Sequence, residues 1–248
     1  MLPRLAILTS LMIAPALAAQ TPHKFPPDSL VNVKVIPRET PVLQVIGTMR
    51  NFTGYLGVRC PFCHVGEEGR PLAEFDFPND QKRTKLVARQ MMRMVEEINR
   101  RLDTIPGRTA PGLLVTCGTC HRGVSRPVPL STLIEEAAGS AGADSAVRAY
   151  RALRQRYYGS DAYNFGEGSL NTAAFRLGRA GKFPEAFQLL GLNEELFPGS
   201  SGVYVFRGNI SLMQGDTTAA AKAYREAIRR DTTNEEAKGR LRNIGQQP

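Results

Sequence analysis

Two short cysteine motifs are the residues of this chain with the clearest chemistry. One occupies positions 60–64 and the other positions 117–121, and together they use all four cysteines and two of the three histidines. In a C-x-x-C-H motif the two thiols add to the vinyl groups of one porphyrin, and the adjacent imidazole reaches the iron. The motifs therefore predict two covalent haem c groups, bound by Cys60, Cys63 and His64 and by Cys117, Cys120 and His121.

The same cysteines have two other interpretations. Two C-x-x-C pairs also suit a four-thiolate zinc site, and four cysteines in an exported chain could form two disulfides. Zinc does not require a histidine directly after each pair. Disulfides require neither the pairing nor the histidine, so covalent haem is the interpretation that uses every feature of both motifs.

Amphipathic helices are predicted to precede each motif. Apolar residues at three- and four-residue spacing predict a helix from Pro41 to Leu56, which Gly57 ends. A second helix is predicted over residues 81–102. Its apolar stripe consists of Val87, Met91, Met94, Val95, Ile98 and Leu102.

Methionines on these helices are candidates for the second axial ligand of each iron. A thioether ligand is common in electron carriers and raises the reduction potential relative to a second histidine. Met49 lies on the helix before the first motif, and Met91, Met92 and Met94 lie on the helix before the second. Spacing does not choose among these three, and methionine on an apolar helix face is also ordinary core. His23 is a further candidate ligand.

Residues 41–128 resemble the tetrahaem cytochrome subunit bound to photosynthetic reaction centres of purple bacteria. The resemblance rests on residues 47–49 ahead of residues 57–60, on residues 88–94 through Asn99, and on residues 115–123. In that family each unit is a helix carrying the axial methionine, a turn, and a second helix carrying C-x-x-C-H. The resemblance implies Met49 and Met91 as the distal ligands and leaves Met94 a packing role.

The chain departs from that family in two respects. It has motifs for two haems where the reaction-centre subunit has four. The histidine that serves a bis-histidine haem there has no counterpart after Asn99, where residues 100–103 read Arg-Arg-Leu-Asp. Docking to a reaction centre is therefore not implied, and the match is closer to a dihaem, exported offshoot with extra domains.

The N-terminal region has the pattern of an exported protein. Residues 1–19 combine Arg4, a short apolar run and a small-residue cleavage site, which predicts a signal peptide and a periplasmic location. We expect no integral membrane segment after its cleavage, because no other run approaches the length of a membrane helix. Residues 20–40 are rich in proline and predict an extended segment, with a short strand over residues 31–35.

Net charge limits the choice of partners. The chain carries a formal charge of +9 and no tryptophan. No nucleic-acid motif and no basic run interleaved with aromatic residues is present, so we expect an acidic protein redox partner and no nucleic acid. Arg59 and Arg122 are candidates for pairing with haem propionates.

The C-terminal part is predicted to be a helical repeat. A composition shift over residues 129–144 predicts a linker or helix end, and residues 145–248 then read as helices. The segment beginning at Gly181 aligns with that beginning at Gly215, an offset of 34 residues, which is the tetratricopeptide period. A concave surface for a protein partner, or a brace for the haem domain, are the two roles such an array offers.

The sequence thus predicts a mainly α protein. A haem-binding domain of helix, turn and C-x-x-C-H covers residues 41–128, and an α-helical tetratricopeptide-like domain follows. The function expected is single-electron transfer between redox partners through two His/Met-ligated haems. Two alternatives are a peroxidase-like enzyme with one open iron, and a scaffold whose repeats recruit a redox partner.

Overall fold

The protein is mainly α-helical, as the sequence predicts. A computed structural model describes residues 24–109 and 111–247; the predicted signal peptide and His23 lie outside these ranges. The helices of the described part are α1 Val42–Leu56, α2 Arg83–Leu102, α3 Cys117–His121, α4 Leu130–Tyr157, α5 Glu167–Arg179, α6 Phe183–Leu196, α7 Gly202–Met213, α8 Thr217–Arg230 and α9 Glu235–Asn243. None of these helices combines the length and apolar character needed to span a bilayer.

The two helices predicted ahead of the motifs are confirmed. Helix α1 ends at Leu56, and the next residue, Gly57, has a φ of +63°, which favours glycine because a Cβ is strained there. A Cβ on Gly57 would also overlap the carbonyl oxygen of Gly123. Helix α2 begins at Arg83, two residues later than predicted, and ends at Leu102 as predicted.

The predicted strand over residues 31–35 is wrong. These residues form bends, and within the described ranges the only β-type pairing is an isolated antiparallel bridge between Val65 and Asp76. The physical reason lies at Asn32, whose φ of +59° breaks the extended backbone. Its side-chain Nδ2 donates to the carbonyl of Pro78 at 2.5 Å, so this segment is fixed by side-chain contacts instead of a strand ladder.

The chain forms two compact units that interleave in sequence. The first contains residues up to Thr53 together with Val58–Val115, and the second contains Gly54–Gly57 together with residues from Thr116 onward. The first C-x-x-C-H motif therefore lies in the first unit and the second motif in the second unit. Among the described residues of the first unit, Val45 and Phe75 alone are buried apolar side chains.

The second unit repeats a helix pair. Helices α5 and α6 pack together, as do α7 and α8, and α5 also contacts α7. Gly181 and Gly215 end the first helix of each pair with φ of +75° and +86°. In both turns the next residue donates back into that helix at 2.9 Å, Lys182 to Leu177 and Asp216 to Ser211. The predicted 34-residue alignment thus corresponds to equivalent turns.

The region predicted as a linker or helix end, residues 129–144, is helical on both sides of a break. Helix α4 contains this region, and its backbone is non-helical at Ala141 and Gly142, so the linker is confined to a kink and the predicted helix end lies there. Leu130, Ile134 and Ala138 are buried in the same core as residues of the following helices. Burial of an apolar stripe, not local composition, holds these residues in a helix.

Candidate haem-binding site

The first C-x-x-C-H motif is a single tight turn. Residues Cys60–Phe62 form a 3₁₀ helix, where the family resemblance implied a longer helix. The carbonyl of Cys60 accepts from the backbone N–H of Cys63 at 3.3 Å and of His64 at 3.0 Å. One turn is enough to bring two thiols and the following imidazole to the same side of the backbone.

One aromatic ring contacts the imidazole of His64, and a second ring supports the first. The Phe77 ring meets the imidazole edge to face, with centroids 4.9 Å apart, and Phe75 stacks on Phe77 at 5.5 Å. Burial, and then the positive charge of Lys85, lower the pKa of His64. The imidazole is therefore neutral at neutral pH, which is the form that ligates a metal. Its Nδ1 is buried and has no hydrogen-bond partner.

Substitution of Gly66 is expected to disturb this aromatic group. A Cβ at Gly66 would overlap the ring of Phe75, which is buried. Because an aromatic ring in a packed site cannot move aside cheaply, we expect Gly66→Ala to lower the free energy of unfolding by about 1–3 kcal/mol. Denaturant unfolding measures this change. Gly47→Ala is the matched control, since a Cβ at Gly47 meets nothing within 4 Å; an equal loss in both variants would contradict the prediction.

The start of α2 holds the first motif in place. Lys82 Nζ donates to the carbonyl of Pro61, and Thr84 Oγ1 donates to the carbonyl of Phe62. The buried ammonium of Lys85 binds the loop that carries Phe77. These residues were not predicted, because the apolar stripe of α2 gives no information about the polar face of that helix. The spacing of Lys85 and Arg89, four residues apart on that helix, could have indicated that both lie on one polar face.

The second motif forms the short helix α3, and its histidine is oriented by the backbone. His121 Nδ1 lies 2.9 Å from the carbonyl oxygen of Val124. A proton on Nδ1 leaves the lone pair on Nε2 free for a metal, the arrangement typical of ligating histidines. Thr119 Oγ1 accepts from the backbone N–H of Thr116 at 2.9 Å at the start of the helix.

The end of α1 supports the second motif as well as leading to the first. Gly123 N–H donates to the carbonyl of Tyr55 at 2.9 Å. The ring of Tyr55 lies so close to Gly118 that a Cβ there would overlap it. The second residue of this motif, Gly118, is thus glycine for a packing reason that the motif itself does not reveal.

Four methionines were candidate axial ligands, and the structure gives their surroundings. Met49 is half-buried on α1. On α2, Met92 is half-buried, whereas Met91 and Met94 are 39% and 47% exposed. Met49 shares the first unit with His64, while Met91 and His121 belong to different units. The assignment of Met49 and Met91 as ligands stays a prediction.

The surroundings of the motifs fit a porphyrin. Porphyrins are flat and largely apolar, and burying apolar surface is favourable in proportion to its area. Residues of α2 at helical spacing are exposed and apolar, and so is the side chain within the first motif: Leu86, Val87, Met91, Met94 and Phe62. Because so few apolar residues of the first unit are buried, its exposed apolar side chains provide a surface on which a porphyrin could pack.

The structure does not support the two other interpretations of the cysteines. All four are free thiols, so none forms a disulfide. Across residues 24–109 and 111–247, no group of three or more histidine, cysteine or acidic side chains is arranged to hold a metal ion. Burial raises the pKa of the Cys63 and Cys117 thiols.

The predicted propionate partners have different surroundings. Arg59 Nε lies 3.1 Å from Glu68 Oε1, with both side chains exposed. Arg122 is exposed and has a φ of +47° at the end of α3. Neither arginine is held in a buried site, so a role with propionates stays a prediction for both.

These features fit a helical protein whose C-x-x-C-H turns could hold a covalent haem. The family model of the photosynthetic reaction centre cytochrome C subunit matches residues 32–156, half of the chain. The chain belongs to this family, and the protein is therefore a c-type cytochrome of electron transfer that carries haem c and works with protein redox partners. A search of curated proteins found no match.

Proposed function

We propose that the protein is an exported, periplasmic dihaem cytochrome that passes single electrons between protein redox partners. When bound, haem c supplies a one-electron iron couple. The chain attaches the porphyrins, ligates both irons and shields them from other ligands. The proposal is supported most directly by the orientation of His121, whose Nδ1 faces the Val124 carbonyl at 2.9 Å inside a C-x-x-C-H turn.

The first haem site consists of residues from the first unit. Cys60 and Cys63 form the thioether bonds, and His64 and Met49 ligate the iron. The packing of Phe77 against the imidazole supports this assignment, because a fixed ring orientation is what an axial ligand needs.

The second haem site takes its covalent and proximal residues from α3. Cys117 and Cys120 would form the thioether bonds to this haem, and His121 and Met91 would ligate its iron. Two irons with both axial positions filled favour electron transfer over substrate chemistry. A peroxidase-like enzyme would need an open iron.

The repeated helices of the second unit are proposed to be tetratricopeptide-like. The equivalent turns at Gly181 and Gly215 and the pairing of α5 with α6 and α7 with α8 support this class. These helices are proposed to stabilise the second haem site, since α4 buries its apolar side against the same core as the repeated helices. An acidic redox partner is proposed from the formal charge of +9.

The proposal is tested by the visible spectrum of protein matured in a host that attaches haem c. We expect two covalent haems per chain, both low-spin, with the methionine–iron charge-transfer band in the oxidised form. Full-length protein with Cys117→Ala and Cys120→Ala is the matched control and should retain one haem. A chain without covalent haem would overturn the proposal, and a high-spin fraction that binds cyanide would favour the enzyme.

A further inference from the structure

A buried lysine on α2 binds the loop that follows the first motif. The ammonium group of Lys85 donates to three successive backbone carbonyls, those of Phe77 at 2.7 Å, Pro78 at 3.0 Å and Asn79 at 2.7 Å. A buried cation is costly unless hydrogen bonds satisfy it. These three bonds satisfy the ammonium group while fixing the loop.

The charges around Lys85 do not cancel. Asp80 lies 2.9 Å from Lys85 Nζ and 2.8 Å from Arg89, and Arg89 also donates to the carbonyl of Asn32 at 2.9 Å. Asp76 accepts from Asn79 at 3.0 Å on the same loop. Lys85 and Arg89 therefore share the single carboxylate of Asp80, which leaves one positive charge of this pair uncompensated.

This cationic cluster, defined as Lys82, Lys85 and Arg89, is connected to the proximal histidine of the first haem. Lys85 binds the carbonyl of Phe77, and the Phe77 ring contacts the imidazole of His64. Lys82 binds a carbonyl within the motif itself. The cluster therefore places positive charge near His64 and also fixes the loop whose Phe77 ring contacts this histidine.

Among the described residues of the unit that contains the second motif, no lysine or arginine is buried. Arg122, next to His121, is exposed. Arg126 is also exposed, and Glu136 neutralises it through two bonds of 2.6 Å. Exposed charges are screened by water and salt, whereas buried charges act over longer distances.

We propose that Lys85 is a positioning residue that raises the reduction potential of the haem at the first motif above that of the haem at the second. The inference rests on the proposed function, with haem at both motifs. Reduction adds one electron from the redox partner and lowers the charge of the site by one, so an uncompensated buried cation favours the reduced state. At equilibrium, an electron shared by the two haems therefore occupies the first haem more often than the second.

The experiment follows each haem separately in the full-length, haem-loaded protein. Cys60→Ala leaves one vinyl group of the first porphyrin unreacted, which shifts the absorption band of that haem and distinguishes it from the other. Redox titration of this background then gives two midpoint potentials, each read at its own wavelength. Haem content and spin state are recorded first, so that failure of the proposed function is seen independently.

Lys85→Gln removes the charge but keeps two N–H donors for the carbonyls. We expect the equilibrium constant for reduction of the first haem to fall about tenfold, which is about 59 mV for one electron. The constant for the second haem should change by a smaller factor than that of the first. Lys85→Arg keeps the charge and should restore the first potential, an outcome that a purely structural role would not require.

Two further variants keep the test decisive. Lys222→Gln removes one exposed lysine from the second unit and controls for net charge. Arg89→Gln removes another cation of the cluster and should lower the first potential in the same direction if Lys85→Gln does not mature. An unchanged first potential, or an equal shift of both haems, would overturn the inference even in a protein with two intact haems.

Discussion

Met91→Ala is expected to convert one of the two haems to a high-spin form that binds cyanide. The substitution removes the thioether proposed as the distal ligand and leaves that iron with an open position. Met49→Ala should do the same to the other haem, and the double variant should affect both. Visible spectroscopy of the oxidised protein, with cyanide titration, measures each change.

Met94→Ala is the matched control for Met91→Ala. Both methionines lie on α2, and their exposed fractions of 39% and 47% are similar. The loss of packing is therefore comparable in the two variants, and a difference between them reports ligation. If Met92→Ala or Met94→Ala opened the iron instead, the distal ligand would be reassigned. The same conclusion would follow for His23→Ala, which we expect to leave both spectra unchanged.

Ile134→Asp is expected to unfold the second unit and with it the second haem site. Ile134 is fully buried at 0% exposure in the core shared by α4 and the repeat helices. A carboxylate placed there loses its hydration without a partner, and we expect a cost above about 4 kcal/mol. Helical circular dichroism and the spectrum of each haem, separated by the Cys60→Ala background, measure the effect.

Ser140→Asp on the same helix is the control, because Ser140 is exposed. It should change neither the helical signal nor the haems. A flexible linker over residues 129–144 would make both aspartate variants mild, so the pair distinguishes that expectation from the helix observed. Loss of the repeat helices without any change at the second haem would mean that α3 and the repeat fold independently.

Residue types and spacing were sufficient to predict α1, α2 and the cytochrome family. The thiol spacing and the adjacent imidazole are local properties, and so is the periodicity that places α1 and α2. The repeat was predictable for the same reason, since Gly181 and Gly215 mark equivalent turns. The prediction of a strand over residues 31–35 was wrong because alternation of apolar and polar residues does not by itself supply a second strand to pair with.

The residues that hold each motif in place could not be predicted from residue types. Lys85 binds backbone carbonyls, which every residue has, so no sequence pattern identifies its partners. The contact of Tyr55 with Gly118 joins residues far apart in the chain, and so does the mutual bonding of Asn99 with Val115 at 2.8 Å.

The sequence by itself thus determined the chemistry of this cytochrome: two C-x-x-C-H motifs, the helices before them and a repeat of 34 residues. Tertiary structure alone decided that residues 129–144 are helical on both sides of Ala141 and Gly142, that the end of α1 supports the second motif, and that the buried Lys85 binds the loop after the first. The physical reason is how far apart in the chain the interacting residues lie. Covalent attachment and helix periodicity depend on neighbours along the chain, whereas burial and charge depend on which distant backbone groups the fold brings together.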